Sequence, residues 1–200
     1  MDTLLTATLL IVSYLFGTLP GARIVCHLFK LGSPLTQGSG NPGATNVYRL
    51  GGFLPALITL VIDAGKGVAA VYLVQVAHLS VFWQLSAAML TILGHMYPVF
   101  SRFNGGKGVA TTLGAGLVIA PALTLLLTSL WAGLLYQFRI SAIASVTTAL
   151  LSPVLAFWLT PSLTPFFMLL ALLITFRHRH NFQKWQKGNA TQPPSPIEKK

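Results

Sequence analysis

Long apolar runs separated by short polar breaks fill most of the chain. Leu4–Pro20 is apolar and runs on toward Leu28. Phe53–Ala77 and Leu79–Phe100 follow, and Ala142–Leu159 and Thr164–Phe176 come later. Runs this apolar read as membrane-spanning helices, because a helix is the structure that satisfies its own backbone groups in hydrocarbon. Gly108–Phe138 is apolar too, but Gly114, Gly116 and Pro121 interrupt it. As one helix it would run to roughly 46 Å, against about 30 Å of hydrocarbon. Division at Pro121 gives two short spans that tilt little or thin the bilayer.

The positions of Lys and Arg support that division. Lys30 and Arg49 follow the first span, Arg102 and Lys107 the third, and Arg139 the fifth. Arg177, Arg179, Lys184 and Lys187 follow the last. The turns near 75–80, 119–122 and 160–165 carry neither residue type. Basic and non-basic connections therefore alternate if there are seven spans, which places the N-terminus outside and the C-terminus in the cytoplasm. The expected fold is an all-α integral membrane protein of about seven transmembrane helices, some short or broken. A five-span arrangement, with part of 108–138 lying in the interface, fits the same lengths. Residues 1–187 read as a single polytopic domain. Residues 188–200, which include QPPSPIEKK, read as a polar, disordered tail. No internal repeat is visible, so an inverted-repeat transporter gains no support.

Composition sharpens the class. Charged residues make up 8% of the chain, against about a quarter in soluble domains, and the mean hydropathy is +0.70. The acids are Asp2, Asp63 and Glu198, so the net charge of +10 reflects missing carboxylates as much as added bases. The bases sit singly between spans and line no single face, so a nucleic-acid partner is not expected. One cysteine, Cys26, leaves no internal disulfide. The N-terminus has no basic n-region, so the first apolar run is expected to be a retained span.

Three polar stretches break the apolar pattern, and the charge rule places all of them on the cytoplasmic side. The first is GSGNPGATNVYRLGG, Gly38–Gly52, with Ser39, Asn41, Thr45, Asn46 and Arg49. It matches G-x-G-x-x-G, but a dinucleotide fingerprint needs a preceding strand and an acid about 20 residues on. What remains is the shared physics: glycines let backbone N–H groups converge on an anion, and short polar side chains add donors. The alternative is a plain connecting loop. The second stretch, Gly94–Ala110, holds Lys107 between Gly105-Gly106 and Gly108. It is no P-loop, because Gly108 stands where Ser or Thr is required. A lysine between glycines can approach a phosphate closely, although a lysine in a positive-inside turn looks the same. His95 could equally be a satisfied interfacial histidine. The third stretch, Arg177–Asn181, places His178 and Asn181 on one helical face; its plain reading is a basic stop-transfer flank.

Asp63 and Lys66 lie within the second span, where charges are costly and usually paired. At i, i+3 they can pair with each other, or Asp63 can hold Arg49; a structural role is expected. Ser141 sits just after Arg139. The chain has no carboxylate pair for acid–base work, no His-x4-Asp acyltransferase signature and no cluster of acids for a metal, so neither a metal nor a cofactor is expected. Glycine-rich loops, hydroxyls, amides and a few cations at a membrane surface suit phosphate-bearing substrates, one with a lipid tail. The competing reading is an organic-phosphate transporter, but Lys66 is the one clear intramembrane cation for a permeating dianion.

SGNPGATNVYR, GHMYPVFSRFNGGKGVAT and RHRHN resemble the three motifs of the bacterial acyl-phosphate:glycerol-3-phosphate acyltransferases, the PlsY family, in order and spacing over nearly the whole chain. The resemblance implies a multi-pass inner-membrane enzyme whose active site faces the cytoplasm. It implies acyl transfer from a fatty acyl phosphate to the sn-1 hydroxyl of glycerol 3-phosphate, giving 1-acyl-glycerol 3-phosphate and inorganic phosphate. A phosphate acyltransferase would supply the acyl phosphate, and membrane lipid surrounds the enzyme. The motif matches make Ser39, Arg49, Lys107, Ser141, His178 and Asn181 polar substrate-site residues, with Gly105 and Gly106 lining the phosphate pocket. Many members carry a second serine where this chain has Ala142; Ser145 or a backbone N–H would supply that contact. An acyl phosphate is a mixed anhydride, so direct attack without a covalent intermediate is expected. His178 or the leaving phosphate would take the proton.

Overall fold

The structure, a computed structural model, describes residues 3–186, with side chains described as far as Arg179. The described residues form nine α-helices and two 3-10 turns joined by loops, and no strand occurs among them. The chain forms two compact units, Met1–Leu125 and Leu126–Lys200, and the boundary falls within one helix.

The first unit begins with α1 (Thr3–Thr18) and α2 (Gly21–Leu28), which meet at a 41° bend around Leu19-Pro20. The bend follows from Pro20, which has no N–H to donate and restricts the residue before it. α3 (Ala44–Gly51) is short and follows the first glycine-rich stretch; α4 (Phe53–Val76) is the long helix of this unit. α5 (Val81–Met96) leads through a 3-10 turn at Val99–Ser101 to α6 (Val109–Ile119). α7 (Pro121–Phe138) starts on Pro121, so the division expected within 108–138 occurs at that residue. Proline suits a first helical position because the missing N–H is unpaired there anyway.

α1 packs on α5, and α4 packs on α6, α5 and α1. In hydrocarbon the drive for such contacts is close fit rather than water exclusion, so small residues mark the crossings. A Cβ on Gly94 would collide with the Tyr14 carbonyl, and one on Gly17 with the Thr91 carbonyl. Gly114 lies equally tight against the Ala64 carbonyl, and Gly67 against the Thr111 carbonyl. Intramembrane hydroxyls bond back to backbone oxygens. Thr91 Oγ1 lies 2.9 Å from the Ser13 carbonyl and 2.8 Å from that of Ala87, and Thr59 Oγ1 donates to the Pro55 carbonyl at 2.9 Å.

The second unit holds the remainder of α7, then α8 (Ser141–Leu159), a 3-10 turn at Pro161–Leu163 and α9 (Thr164–Gln186). α8 and α9 pack on each other. Pro153 lies inside α8 and cannot donate to the Ala149 carbonyl; the Ser152 hydroxyl donates there instead, at 2.8 Å. Trp131 Nε1–H of α7 donates to Ser145 Oγ of α8 at 3.0 Å.

Three helices end on a basic residue in the left-handed region: Lys30 (φ 54°), His78 (φ 55°) and Arg139 (φ 57°). After α2 the Leu31 N–H reaches the Cys26 carbonyl at 2.8 Å, and after α4 the Leu79 N–H reaches that of Val74 at 3.3 Å. These are the long bonds that close a helix C-terminus, where a cation also faces the negative dipole end.

By length and composition α4, α7, α8 and the stretch Pro161–Arg179 can each cross a membrane, and α1 with α2 makes a fifth if counted as one bent span. The seven-span expectation also needs α5, at 16 residues, and α6, at 11. Large apolar side chains such as Phe53, Phe82, Trp158 and Leu172 are exposed on the helices, as lipid-facing surfaces require. The expected tail at 188–200 lies outside the described residues.

Candidate active site

The first glycine-rich stretch is shaped by its own asparagine. Asn46 is 1% exposed, and its Nδ2 donates to the carbonyls of Pro34 and Gln37, both at 3.0 Å. Its Oδ1 accepts the Ser39 N–H at 2.8 Å. Gly38 turns there with φ 62°, and a Cβ on it would collide with Asn46 Oδ1. Both Asn46 donors and its carbonyl are therefore engaged in holding residues 34–39. Of the other polar residues in this stretch, Ser39 and Asn41 are partly exposed and Thr45 is exposed.

Arg49 lies in the last turn of α3 and is partly buried. Its Nε has no hydrogen-bond partner among the described residues. Burial holds the guanidinium below its ordinary pKa range. A desolvated cation with an unmatched donor favours an arriving anion. Asp63 does not hold Arg49; its contacts are Lys66 Nζ at 2.9 Å and His95 Nδ1 at 3.6 Å. The first of the two pairings open for Asp63 is thus the one formed.

The Gly105-Gly106-Lys107-Gly108 loop sits against the end of α5. The Gly106 N–H donates to the His95 carbonyl at 3.0 Å. A Cβ on Gly105 would meet the carbonyls of His95 and Met96, and one on Gly106 would meet the His95 ring. Gly108, at φ 81°, opens α6 in the left-handed region. These glycines are required by close approach of backbone and by turn geometry. Lys107 is partly buried between them. The turn before the loop includes Arg102 (φ 50°) and Phe103 (φ 60°), closed by the Phe103 N–H on the Pro98 carbonyl at 2.9 Å.

One pocket of the first unit is lined by Pro42 of the first stretch, Asn104–Gly106 of the second, and Arg23, Asp63 and His95. Two of the three polar stretches thus share a wall, although Pro42 and Asn104 lie 62 residues apart in sequence. Arg23, on α2, donates from Nη1 to Ser101 Oγ at 2.8 Å. The sequence reading missed it. The signal was a lone arginine inside the otherwise apolar run that continues past Pro20.

In the second unit Ser141 opens α8, partly buried, and Ala142 beside it is buried. His178 is 2% exposed, and its Nδ1 lies 2.8 Å from the Ile174 carbonyl. A carbonyl only accepts, so Nδ1 carries the proton, and a neutral ring then has its lone pair on Nε2. Arg179 stacks over the Phe176 ring at 3.8 Å, as a helix-flank arginine does. The Asn181 side chain lies outside the described residues.

The helices are those of an integral membrane protein, and glycines, Gly105 and Gly106 among them, line its pocket. The family model for glycerol-3-phosphate acyltransferases matches residues 7–188, and the chain belongs to that family. A glycerol-3-phosphate acyltransferase of Hahella chejuensis is 50% identical over 88% of this chain and 91% of its own. One of Neisseria meningitidis is 42% identical over 88% and 92%. Among solved structures, the glycerol 3-phosphate form of PlsY, an integral membrane glycerol 3-phosphate acyltransferase, is 29% identical and superposes with a TM-score of 0.84. It covers 92% of this chain and 94% of that one. The lysophosphatidic acid form of the same enzyme gives a TM-score of 0.82.

Proposed function

We propose that this membrane acyltransferase moves a fatty acyl group from acyl phosphate to the sn-1 hydroxyl of glycerol 3-phosphate, releasing inorganic phosphate. Lysophosphatidic acid is the product. The observation that carries the reading is the shared pocket of the two glycine-rich stretches, with Lys107 and Arg49 in those stretches and no carboxylate but the already paired Asp63 in its wall. Such a site receives phosphate dianions, and the solved relatives bind glycerol 3-phosphate and lysophosphatidic acid. The enzyme works in the bacterial inner membrane with this pocket toward the cytoplasm, a placement that the alternating basic connections support.

Three bodies of chemistry are needed. The phosphates must be neutralised, which Lys107 and Arg49 supply. The oxyanion formed at the acyl carbonyl must be stabilised, which the same donors do if aimed where charge develops. The attacking hydroxyl must lose a proton. The acyl carbon is already activated by its phosphate leaving group, so the glycerol hydroxyl attacks it directly. The C–O bond to glycerol forms, the C–O bond to phosphate breaks, and the proton passes to the departing phosphate, which becomes more basic as it leaves. Ser39 donates from the first loop. Asn46 holds that loop in shape, and Asn41 and Thr45 lie on its open side. Ser141, His178 and Asn181 enter this reading through their motif matches, with His178 contributing to glycerol 3-phosphate binding.

The deciding experiment is phosphate release by the purified protein from palmitoyl phosphate, with and without glycerol 3-phosphate. Release that needs the acceptor, matched by lysophosphatidic acid, is expected. Release without it would point to hydrolysis or an acyl-enzyme, and would turn attention to Ser39 or Ser141. No release from folded protein would bring the transporter reading forward. For His178→Ala we expect a raised KM for glycerol 3-phosphate with maximal rate held within about tenfold. A fall of two or more orders in kcat at saturation, the size of a lost general base, would make His178 the proton acceptor instead.

A further inference from the structure

Asp63, Lys66 and His95 are all buried, at 2%, 5% and 8% exposure, among the packed helices of the first unit. A buried ion pair seldom adds stability over an apolar pair of the same volume, so its presence calls for another reason. An ammonium has three N–H donors and accepts nothing. Lys66 Nζ has three acceptors around it: Asp63 Oδ1 at 2.9 Å, the Leu19 carbonyl at 3.0 Å and His95 Nδ1 at 2.8 Å. Lys66 is thus held within the protein, hydrogen-bonded to the Leu19 carbonyl, in contact with His95 and ion-paired with Asp63.

The three contacts have separate consequences. Leu19 lies at the bend between α1 and α2, where Pro20 removes a helical donor, and its carbonyl takes the ammonium. Asp63 balances the charge one turn away on α4. Against an ammonium, which only donates, His95 accepts at Nδ1, and a neutral ring then carries its proton on Nε2. That ring edge abuts Gly106: a Cβ added there would collide with Nε2 and approach Cε1 to 2.8 Å. The His95 carbonyl takes the Gly106 N–H at 3.0 Å. Backbone and ring of one residue thus bear on the loop that carries Lys107.

We infer that Asp63, Lys66 and His95 form a positioning network, in which Lys66 fixes the ring of His95 and His95 seats the phosphate-facing loop Gly105–Lys107. The inference rests on the acyl-transfer reading for its kinetic consequence, though not for its geometry. The network is no part of the reacting atoms. Its effect is to hold the loop donors where the phosphate arrives, and misplacement of such donors by about 1 Å costs on the order of a hundredfold in rate.

The test has two arms on the full-length protein in detergent. In the first, 15N-labelled histidine is observed by NMR, with the His95 signal assigned by its loss in His95→Asn. His95 is expected as the Nε2–H form, with Nδ1 shifted as an acceptor. A His95 ring protonated on Nδ1 alone would overturn the inference. In the second arm, the paired variant Asp63→Leu/Lys66→Met removes both charges and leaves His95 Nδ1 without its donor. Folding is expected to survive, by thermal melt and size exclusion, while kcat/KM per folded molecule falls on the order of a hundredfold. Retention of kcat/KM within about threefold would reduce the network to a structural one. Should the paired variant not fold, His95→Asn, which keeps the ion pair, carries the kinetic arm with the same expectation. If wild-type protein shows no acceptor-dependent phosphate release, the acyl-transfer reading fails, and the NMR arm still decides the network.

Discussion

Lys107→Ala is expected to leave a folded protein with almost no acyl transfer, a loss of about a hundredfold or more in kcat/KM. Lys107 stands between Gly106, whose N–H is tied to α5, and Gly108, which opens α6 at positive φ. Its backbone is held from both sides, so truncation removes a charge without freeing the loop. On the proposed acyl-transfer reading Lys107 faces the developing charge, and loss of such a donor costs about 3 kcal/mol. Lys107→Arg keeps the charge but brings a longer planar fork, and should recover only part of the activity. The assay is phosphate release under saturating palmitoyl phosphate with glycerol 3-phosphate varied, alongside a thermal melt. A Lys107→Ala rate within about threefold of wild type would remove the residue from the site.

The two lysines near the site illustrate what sequence shows and what it does not. The glycines around Lys107 are legible as points of close backbone approach, and the structure packs Gly105 and Gly106 against the end of α5. The Asp63–Lys66 pair is legible because i, i+3 residues share a helix face. Its third member was not: His95 lies 29 residues from Lys66, and the 2.8 Å contact depends on how α4 meets α5. As a result a lysine that looked available for a permeating anion is held by internal partners. That also weakens the transporter reading, since its one clear intramembrane cation is internally bonded.

The spans followed the same logic. Apolar runs gave α1, α4, α5, α8 and α9 because membrane helices are marked by length and composition. The break at Pro121 was legible because it falls in a stretch too long for one span. The bend at Leu19-Pro20 was not, because the apolar pattern runs through it unchanged, and Arg23 was lost with it. Asn46 reads in sequence like the other polar residues of its loop. Structure separates it, because an amide turned inward to bridge Pro34, Gln37 and Ser39 is indistinguishable by spacing from one facing a ligand.

Gly105→Ala tests the loop itself, with no change of charge. The added methyl would collide with the His95 carbonyl, lie 2.5 Å from Pro98 Cδ and lie 2.6 Å from the Met96 carbonyl. Two of those three atoms are backbone at the end of α5, and the third belongs to a rigid ring. None can swing aside, so the loop itself must move off the helix end. That movement weakens the Gly106 N–H bond to His95 and carries Lys107 with it. A displacement of about 1 Å at a phosphate-facing group predicts a loss of on the order of a hundredfold in kcat/KM. Gly65→Ala supplies the control, because its Cβ would meet nothing within 4 Å on the exposed side of α4. That change should be neutral or stabilising, by up to about 1 kcal/mol of helix propensity, with activity unaltered. If both alanine variants keep wild-type kcat/KM, the close packing of Gly105 does not set the geometry of the phosphate loop. If both lose it equally with matched losses of folded protein, the effect belongs to the membrane fold and not to the site.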